Sequence, residues 1–506
     1  MSVTGVSHDV ERELRAICGE EHVIRRAPSV LDAMQFDQII PKAPPISVSP
    51  GSVDEVADVV RLANKRSLAI EARGGATDLS IFSDRVADLA LDTTRLSDVE
   101  HYDPADLTVG IGAGMTVARL KTMVGADGLL FAADPPLLDQ ATVGGVLAAA
   151  RQGPLRHGYG GLRDFCIGIR CVTGDGRKAK GGGRVVKNVA GYDLMKLLIG
   201  SYGTLAVITS ASFKLFPAPR QTKTFVAEFV TATEALQFRD LVMRSPLAPM
   251  CLELVSPRAR QLMRPETTSD AWAICIRAAG SDTVLARYRT ELGSAITREL
   301  EGDKEVAMWD SVENYPMSQR RPGFTFCWWS QAVINVPVSE VGTAIQVLQQ
   351  FEPAHSSGPS LVGRVGVGVL IVAFSTDAIE VLARVLGALE KRLSHNFSVC
   401  VCAPGKLWRV TPTDLSSMHA VSWRSIGTTS CAGGKSFEHR TDDHRDTPLE
   451  LLRAREADMG VVLEVCALRA VSRPVSDISR TGHRNGFATW TDLPDCAGGR
   501  GTAGAE

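Results

Sequence analysis

The stretch that decides the fold is residues 181–217, which reads GGGRVVKNVAGYDLMKLLIGSYGTLAVITSASFKLFP. It joins a glycine triplet, a polar segment and a second group of glycines to an apolar run, residues 205–208, that predicts a strand. Glycines have no Cβ, so the backbone can lie close to a large planar or phosphate-bearing ligand. Glycine-rich turns between the strands of any α/β protein would give a similar pattern. The segments around this stretch must therefore decide between a ligand-binding segment and ordinary turns.

The upstream segments predict the order strand, helix, strand, glycine loop. Residues 46–50 predict a strand, and residues 53–64 predict a helix with its apolar side chains on one face. A second strand is predicted at residues 68–72, and Arg73-Gly74-Gly75-Ala76-Thr77-Asp78 follows it directly. The backbone amides of such a loop form an anion-binding concavity that suits a pyrophosphate.

Further short segments follow in a fixed order, among them DTTRL at residues 92–96, DPP at 134–136, ATVGG at 141–145 and GPLR at 153–156. The ordered set resembles the PCMH-type FAD-binding domain of the vanillyl-alcohol-oxidase superfamily over residues 44–219. The wording KNVAGYDL…GSYGTL is closest to the FAD-binding subunit of bacterial glycolate oxidase, the GlcE type. The resemblance implies an α+β protein, with a two-part FAD-binding domain followed by an antiparallel-sheet cap over the flavin.

The resemblance also implies which residues hold the cofactor. The loop after the second strand would contact the diphosphate and ribityl groups. Thr142, Gly144 and Gly145 would contact the flavin or the phosphates. The residues from Tyr159 onwards would contact the adenine side. One departure is Ala76, where the family usually has glycine; a methyl group would be strained there at a positive φ. The implied cofactor-binding residues are Arg73, Gly74, Gly75, Ala76, Thr77, Asp78, Leu79, Thr142, Gly144, Gly145, Tyr159, Gly160, Arg163, Asp164, Gly203 and Val207.

Several of these residues have a second interpretation. The first loop is compatible with an ordinary turn between strand and helix, and Thr142 with a helix N-cap. Arg163 and Asp164 are compatible with a surface salt bridge, and Gly203 and Val207 with simple core packing. In flavoproteins of this kind a histidine in the first loop commonly carries a covalent flavin. No histidine lies in residues 73–80, so we expect noncovalent FAD. His157 is the alternative attachment residue, and His101 is expected on a solvated turn.

The substrate side has few candidates. Lys187, Asn188 and Tyr192 are polar groups inside the signature stretch, where they would face the flavin or a carboxylate, or stabilise the loop. Arg364 could bind a carboxylate through two hydrogen bonds, although an exposed strand arginine fits equally well. Residues 220–394 of the cap contain one histidine, His355, which cannot make a His-rich metal site, so no metal is expected. No catalytic residue is assigned.

The chain of 506 residues divides into four parts. A leading helical segment is expected at residues 1–43, the FAD-binding domain at 44–219 and an α+β cap at 220–395. Residues 217–219, Pro-Ala-Pro, mark the boundary between the two domains, because two prolines so close interrupt a helix or central strand. Residues 396–506 are expected to be an irregular tail with few core contacts. The tail is either a genuine extension or, as we favour, the product of a shifted reading frame.

Charge and composition exclude several classes of protein. The net charge of −2 gives no indication of nucleic-acid binding, and no apolar run reaches the ~20 residues of a membrane helix. The eleven cysteines do not form metal-binding pairs with the usual spacing. These features are typical of a reduced cytoplasmic protein, peripheral to the inner membrane at most through partner subunits.

The function implied by the resemblance is that of an FAD-binding oxidoreductase subunit in a glycolate-oxidase-like complex. It would oxidise a 2-hydroxy acid, or pass electrons from a sister flavoprotein subunit to an iron–sulfur subunit. A stand-alone FAD-linked dehydrogenase for a hydroxy acid or alcohol is the second possibility. A non-catalytic FAD-binding scaffold is the third.

Overall fold

The structure is a computed structural model that describes residues 6–26, 44–77, 87–184, 193–263, 270–315, 329–351, 360–375, 379–393, 397–403 and 406–410. The predictions for Asp78, Leu79, Lys187, Asn188, Tyr192, and for the tail beyond residue 410, lie outside the described residues. Three main sheets carry the described fold.

The first sheet has four strands in the order β1-β2-β4-β3. Strands β2 and β3 run parallel to β4, a pairing that needs crossover connections, and the helix Val53–Lys65 supplies one of them. That helix begins at Ser52, whose hydroxyl accepts a hydrogen bond from the Glu55 amide at 3.1 Å. The elements are α1 (His8–Cys18), β1 (Val23–Arg25), β2 (Ile46–Val48), α2 (Val53–Lys65), β3 (Ile70–Arg73) and β4 (Leu89–Asp92).

The leading segment is more than helical. Strand β1 pairs antiparallel with β2 and so adds an edge strand to the first sheet. The helix α1 buries Leu14 in the same core as Val56 and Val59 of α2. The segment is therefore part of the first core.

The second sheet has five antiparallel strands in the order β5-β6-β10-β8-β9. Its core centres on the rings of Phe131, Phe165 and Phe213, which meet edge to face with centroids 5.0 and 5.9 Å from Phe131. A two-stranded pair, β7 with β11, flanks it. The elements are β5 (Val99–Asp103), β6 (Thr108–Gly112), α3 (Val117–Gly125), β7 (Leu129–Leu130), α4 (Val143–Ala149), α5 (Arg156–Tyr159), α6 (Leu162–Phe165), β8 (Cys166–Thr173), β9 (Lys178–Gly182), α7 (Leu194–Leu198), β10 (Ala206–Lys214) and β11 (Phe216–Pro217).

The third sheet has nine antiparallel strands in the order β15-β12-β14-β13-β17-β18-β16-β19-β20. One face packs against four helices, α8, α10, α12 and α13, and buries the largest apolar cluster. The elements are β12 (Thr222–Phe229), α8 (Ala232–Arg244), β13 (Cys251–Val255), α9 (Pro257–Met263), β14 (Trp272–Ala279), α10 (Asp282–Leu292), β15 (Ile296–Leu300), α11 (Asp303–Glu313), β16 (Trp329–Asn335), α12 (Val341–Gln349), β17 (Ser360–Arg364), β18 (Val369–Ser375), α13 (Ile379–Arg392), β19 (Ser398–Ala403) and β20 (Lys406–Val410).

The third sheet continues past residue 395, where the sequence predicted an irregular tail. Strand β19 pairs with β16, and β20 pairs with β19. The alternating Val399 and Val401, followed by Pro404-Gly405 and a second short run, are a hairpin signal that the change in composition concealed. Residues 398–410 therefore extend the cap sheet, and this part of the tail prediction is wrong.

The other face of the third sheet meets the FAD-binding domain. Leu155 and Tyr159 from that domain join Met250, Val362 and Trp309 in one apolar cluster. The amide of Gly158 donates to the carbonyl of Met250 at 3.0 Å. This contact places helix α5 against strand β13 and defines the junction of the two domains.

Candidate functional site

The glycine loop after β3 lies directly on the segment that precedes α4. Its start is held by Thr93, whose amide and hydroxyl bond to the carbonyl of Arg73 at 2.9 and 3.0 Å. A Cβ at Gly74 would overlap the hydroxyl of Thr142, and one at Gly75 would overlap the carbonyl oxygen of Gln140. Only glycine permits this close approach between the two chain segments.

Thr142 connects the glycine loop to the start of α4. Its hydroxyl accepts hydrogen bonds from the amides of Gly75 at 3.4 Å and Gly145 at 3.3 Å. The second of these bonds is an N-cap of α4, so the capping interpretation of Thr142 is correct and coexists with a place in the site.

The two glycines of α4 differ in what surrounds them. A Cβ at Gly144 would come within 2.7 Å of the Ala113 side chain, so this glycine faces protein. A Cβ at Gly145 would meet only the Thr142 hydroxyl, at 3.2 Å. Gly145 therefore presents open backbone beside the loop.

A third segment, the turn at residues 200–203, contacts both α4 and strand β3. The amide of Gly200 donates to the carbonyl of Leu147 at 3.0 Å, and the amide of Tyr202 to that of Ala148 at 2.8 Å. Gly203 has φ +76° and lies against Ala72, 3.4 Å from the position its own Cβ would take. The structure thus brings together the three glycine segments that the sequence predicted for one cofactor.

Left-handed backbone is concentrated at this meeting point. Ala76 has φ +54°, Ala150 has φ +51° and Tyr202 has φ +54°. For residues other than glycine this conformation costs ~1–2 kcal/mol, and such strain is often found at ligand sites. Ala76 occupies a position that favours glycine, as the sequence comparison with the family suggested.

Converging glycine segments fit a flat, phosphate-bearing cofactor. Gly145 and Gly203 leave room on the open side of the junction, since what surrounds them does not fill the space. The segment of Arg73 to Thr77 supplies the concave amide surface that a diphosphate needs. The residues present therefore fit FAD.

The residues predicted for the adenine side have other partners. The Tyr159 ring packs on Phe216 with centroids 4.9 Å apart, and burial raises the pKa of its phenol. Arg163 donates to the carbonyl of Ile199 at 2.8 Å, and the Asp164 carboxylate accepts from the amide of Gly161 at 2.6 Å. The salt-bridge interpretation of the adjacent pair is therefore not what the structure shows.

Gly160 and Val207 are placed by backbone structure. Gly160 ends α5 with φ +82°, and a Cβ there would press on the Asp164 carboxylate. Val207 is buried in β10, paired with Val172 of β8 and packed in the first core. Core packing thus accounts for the side chain of Val207.

The structure places both histidines of the FAD-binding domain, and one of them, His101, lies elsewhere than the sequence predicted. His101 belongs to strand β5, and its ring lies over Gly110 of β6, so the expectation of a solvated turn is wrong. His157 lies on helix α5 with its ring against Gly366 of the cap, and burial lowers its pKa. His101 pairs with Gly110 in the antiparallel ladder between β5 and β6, which explains its position.

A group of buried and half-buried charged residues lies at the domain junction. Arg364 of β17 is 5 % exposed and Glu253 of β13 is fully buried. Their closest atoms, Nε and Oε1, are 4.0 Å apart. Arg364 is therefore not the exposed strand arginine that was the alternative in the sequence. Burial raises the pKa of Glu253 to about 8, and Arg364 opposes that rise.

Asp134 and Arg156 complete this group, which we call the junction cluster: Asp134, Arg156, Glu253 and Arg364. The Asp134 carboxylate accepts from the amides of Gly153 and Leu155, both at 2.8 Å. Burial raises the pKa of Asp134. Burial, and after it the charge of Arg364, lowers the pKa of Arg156.

Sequence reasoning missed Glu253 and Arg156 as candidate functional residues. A signal was present for Glu253: it is a lone acid in the otherwise apolar strand CLELV. Arg156 belongs to the GPLR segment at residues 153–156, but only the fold brings it near the cap. Within the described residues, no group of three or more His, Cys, Asp or Glu side chains is arranged to hold a metal ion.

The comparisons with known proteins agree with this geometry. Residues 44–180 match the family described as FAD binding domain. In structure, the chain is similar to alkyldihydroxyacetonephosphate synthase, with a TM-score of 0.61, 19% identity, and coverage of 78% of this chain and 83% of the other. It is also similar to p-cresol methylhydroxylase, with a TM-score of 0.60, 15% identity, and coverage of 76% and 88%. Residues 44–180 therefore match an FAD-binding domain, the cofactor that the match supports is FAD, and the two solved structures share the fold.

Three proteins of known name are similar to parts of this chain in sequence. The D-lactate dehydrogenase of Archaeoglobus fulgidus is 35% identical over 46% of this chain and 53% of its own length. Subunit GlcE of the Escherichia coli glycolate oxidase is 35% identical over 31% and 45%. Subunit GlcD of the Bacillus subtilis enzyme is 28% identical over 49% and 54%. The chain thus spans about half the length of these relatives.

No helix in the described part of the chain is both long and apolar enough to cross a membrane.

Proposed function

We propose that this chain is an FAD-dependent oxidoreductase that acts on a 2-hydroxy acid. The observation that carries the proposal is the convergence of the Arg73–Thr77 loop, Gly145 and Gly203 on one open, glycine-lined junction. Its similarity to D-lactate dehydrogenase and glycolate oxidase subunits supports this substrate class.

In the reaction, the carbon–hydrogen and oxygen–hydrogen bonds of the alcohol break, and a 2-oxo acid forms. Bound FAD would supply the acceptor for the hydride of the hydroxyl-bearing carbon, while the hydroxyl proton would leave to a base or to solvent. The chain contributes by holding the cofactor between the loop after β3, the start of α4 and the 200–203 turn. We assign no catalytic base.

We further propose that the chain works in a complex with a sister flavoprotein subunit and an iron–sulfur subunit. Similarity to GlcE and GlcD supports this arrangement. A stand-alone dehydrogenase is the second candidate, because the match to a D-lactate dehydrogenase covers more of the chain than the match to GlcE.

The test is the visible spectrum of the purified protein during anaerobic addition of glycolate, D-lactate or D-2-hydroxyglutarate. Bleaching of the flavin by the chain alone supports a stand-alone dehydrogenase. Bleaching only after the partner subunits are added supports the complex. A flavin that no hydroxy acid bleaches under either condition contradicts the proposal and favours a scaffold.

A further inference from the structure

A side chain of the cap bonds to the segment that leads to Thr142 in the FAD-binding domain. Asn314 is the C-cap residue of helix α11, and its Oδ1 accepts a hydrogen bond from the amide of Leu137 at 2.9 Å. The two residues are 177 positions apart, so this bond joins the two domains. A backbone amide at a partly buried contact needs an acceptor, and here the other domain supplies it.

The amide group of Asn314 is held in one orientation. Its Nδ2 donates to the carbonyl oxygen of Asp310 at 3.0 Å and to the Asp310 carboxylate at 2.9 Å. Both of these groups accept hydrogen bonds, so the nitrogen must face them and Oδ1 is left to face Leu137. Bonds within α11 therefore prepare Asn314 as an acceptor for the other domain.

Helix α11 is itself bonded to the cap sheet. The Glu305 carboxylate accepts from the hydroxyls of Thr222 and Thr224 at 2.7 and 2.8 Å. The indole Nε1 of Trp309 donates to the hydroxyl of Thr224 at 2.8 Å. Glu305 and Trp309 are both 2 % exposed, so these bonds lie away from water, where they are strong. The position of Asn314 is therefore set by strand β12.

Leu137 has a backbone conformation that its side chain disfavours. Its φ is +58°, in the left-handed region. Its carbonyl accepts from the amides of Gln140 and Ala141 at 2.9 and 2.8 Å, so a tight turn follows it. A strained conformation persists only where the surrounding contacts determine it. The bond to Asn314 is one of these contacts.

The turn that begins at Leu137 is the surface on which the FAD loop lies. A Cβ at Gly75 would come within 1.7 Å of the Gln140 carbonyl oxygen, and the Gly75 amide donates to the Thr142 hydroxyl at 3.4 Å. A shift at Leu137 would move Gln140 and change the packing of Gly75. Direct contacts therefore connect strand β12 of the cap to the loop after β3.

We propose that Asn314 is a positioning residue through which the cap holds the FAD-binding site in its binding-competent shape. It acts through Leu137 and the turn of residues 137–142. FAD affinity then depends on a residue of the other domain, because only the fraction of molecules with a correctly shaped turn binds the cofactor. The inference rests on the FAD site of the proposed function and is independent of the substrate.

The test measures how well the FAD-loaded full chain retains its cofactor. The protein is diluted stepwise, free FAD is removed by gel filtration, and the ratio of bound flavin to protein is read from the absorbance spectrum. Asn314→Ala should weaken FAD binding by about tenfold, the scale of a backbone amide left without its partner. A purely structural role in the cap would lower the melting temperature and leave this ratio unchanged.

Ser245→Ala is the matched control. Ser245 is the C-cap residue of α8, and its hydroxyl accepts from the amide of Leu247 at 3.2 Å, but both residues belong to the cap. This variant should retain FAD as the wild-type protein does, whatever its effect on the melting temperature. Circular dichroism establishes that each variant is folded.

Two further variants restore what Asn314→Ala removes. Exchange of the two side chains, Asp310→Asn with Asn314→Asp, keeps the net charge and an acceptor for the Leu137 amide, so it should retain FAD like the wild-type protein. Leu137→Gly removes the cost of the left-handed conformation. Combined with Asn314→Ala, it should recover most of the lost affinity.

The inference is overturned if folded Asn314→Ala retains FAD like the wild-type protein, if Ser245→Ala loses as much FAD, or if neither the exchange nor Leu137→Gly restores retention. Asn314→Ser, which shortens the side chain, takes the place of Asn314→Ala if the alanine variant does not fold. Bleaching of the wild-type flavin by hydroxy acids tests the proposed function separately. Absence of bleaching would refute that function and leave the result for Asn314 standing.

Discussion

Two glycines predicted for the same role turn out to differ in kind. Gly75 lies against the Gln140 carbonyl, so its missing side chain makes room for protein. Gly145 faces open space beyond the Thr142 hydroxyl, which is where we propose that the cofactor lies. Substitutions at the two positions therefore test different properties.

Gly145→Val should lose FAD while the protein still folds, because the added methyl groups enter the cofactor space. Gly75→Val should destabilise the protein itself, because the side chain would displace backbone at residue 140. The ratio of flavin to protein absorbance, with the melting temperature, distinguishes the two outcomes. Gly125→Val is the control, since nothing lies within 4 Å of a Cβ there. Full flavin occupancy in Gly145→Val would refute the assignment.

Ala76→Gly should stabilise the protein. The left-handed conformation at φ +54° costs alanine ~1–2 kcal/mol. Replacing alanine by glycine removes that cost but destabilises the folded state by ~0.5–1 kcal/mol, because glycine has more conformational freedom in the unfolded chain. The net gain in the free energy of unfolding is then about 0.5–1 kcal/mol, measurable by urea denaturation. Ala126→Gly, at φ −60°, should lose stability by a similar amount. A loss in both variants contradicts the prediction.

At the scale of elements, the neighbouring strands β13 and β17 place Glu253 beside Arg364 on one face of the cap sheet. The register that pairs Leu254 with Gly363 makes Glu253 and Arg364 direct neighbours. A carboxyl that stays protonated in the folded state makes stability depend on pH.

The free energy of unfolding should fall as pH rises from about 4.5 to 8, because folded Glu253 keeps its proton to about pH 8. The unfolded chain releases that proton near its ordinary value, so the folded state binds more protons in this window. Each such proton contributes ~1.4 kcal/mol per pH unit. Glu253→Gln should flatten the curve by up to that slope in denaturant melts at pH 5 to 8. Parallel curves for the two proteins would show that Glu253 is already ionised when folded.

At the scale of the whole molecule, the described fold ends at Val410 with strand β20. Strands β19 and β20 cover β16, which would otherwise be the edge of an apolar sheet. Exposed apolar edge strands promote aggregation. A boundary at residue 395 would therefore cut through the cap sheet.

A chain truncated after Val410 should keep its FAD and its melting temperature. A chain truncated after residue 395 should lose stability and aggregate, because β16 loses its neighbour. Size-exclusion chromatography and thermal melting compare the two proteins. Because the sequence predicts an irregular tail, protease should cleave first in the part of that tail beyond residue 410. Loss of FAD on removal of residues 411–506 alone would show that this region contributes to the fold.

The sequence by itself determined the cofactor domain, because its evidence is local. Strand, helix, strand and glycine loop follow one another along the chain. A close approach between two backbone segments requires glycine at a single position, which can be read directly from the sequence. The α+β cap was also predictable from alternating apolar runs. The strand pair beyond residue 395 was missed because a change in composition outweighed a short alternating pattern.

Only the tertiary structure decided which glycines face protein and which face a ligand, and which charges share one site. Arg156 and Arg364 are more than two hundred positions apart in the chain, and no local pattern connects them. Their proximity depends on packing the cap sheet against helix α5. Burial then changes the chemistry of Glu253 and Asp134, because the free energy of an ionised carboxyl depends on the surrounding medium, which the sequence does not specify.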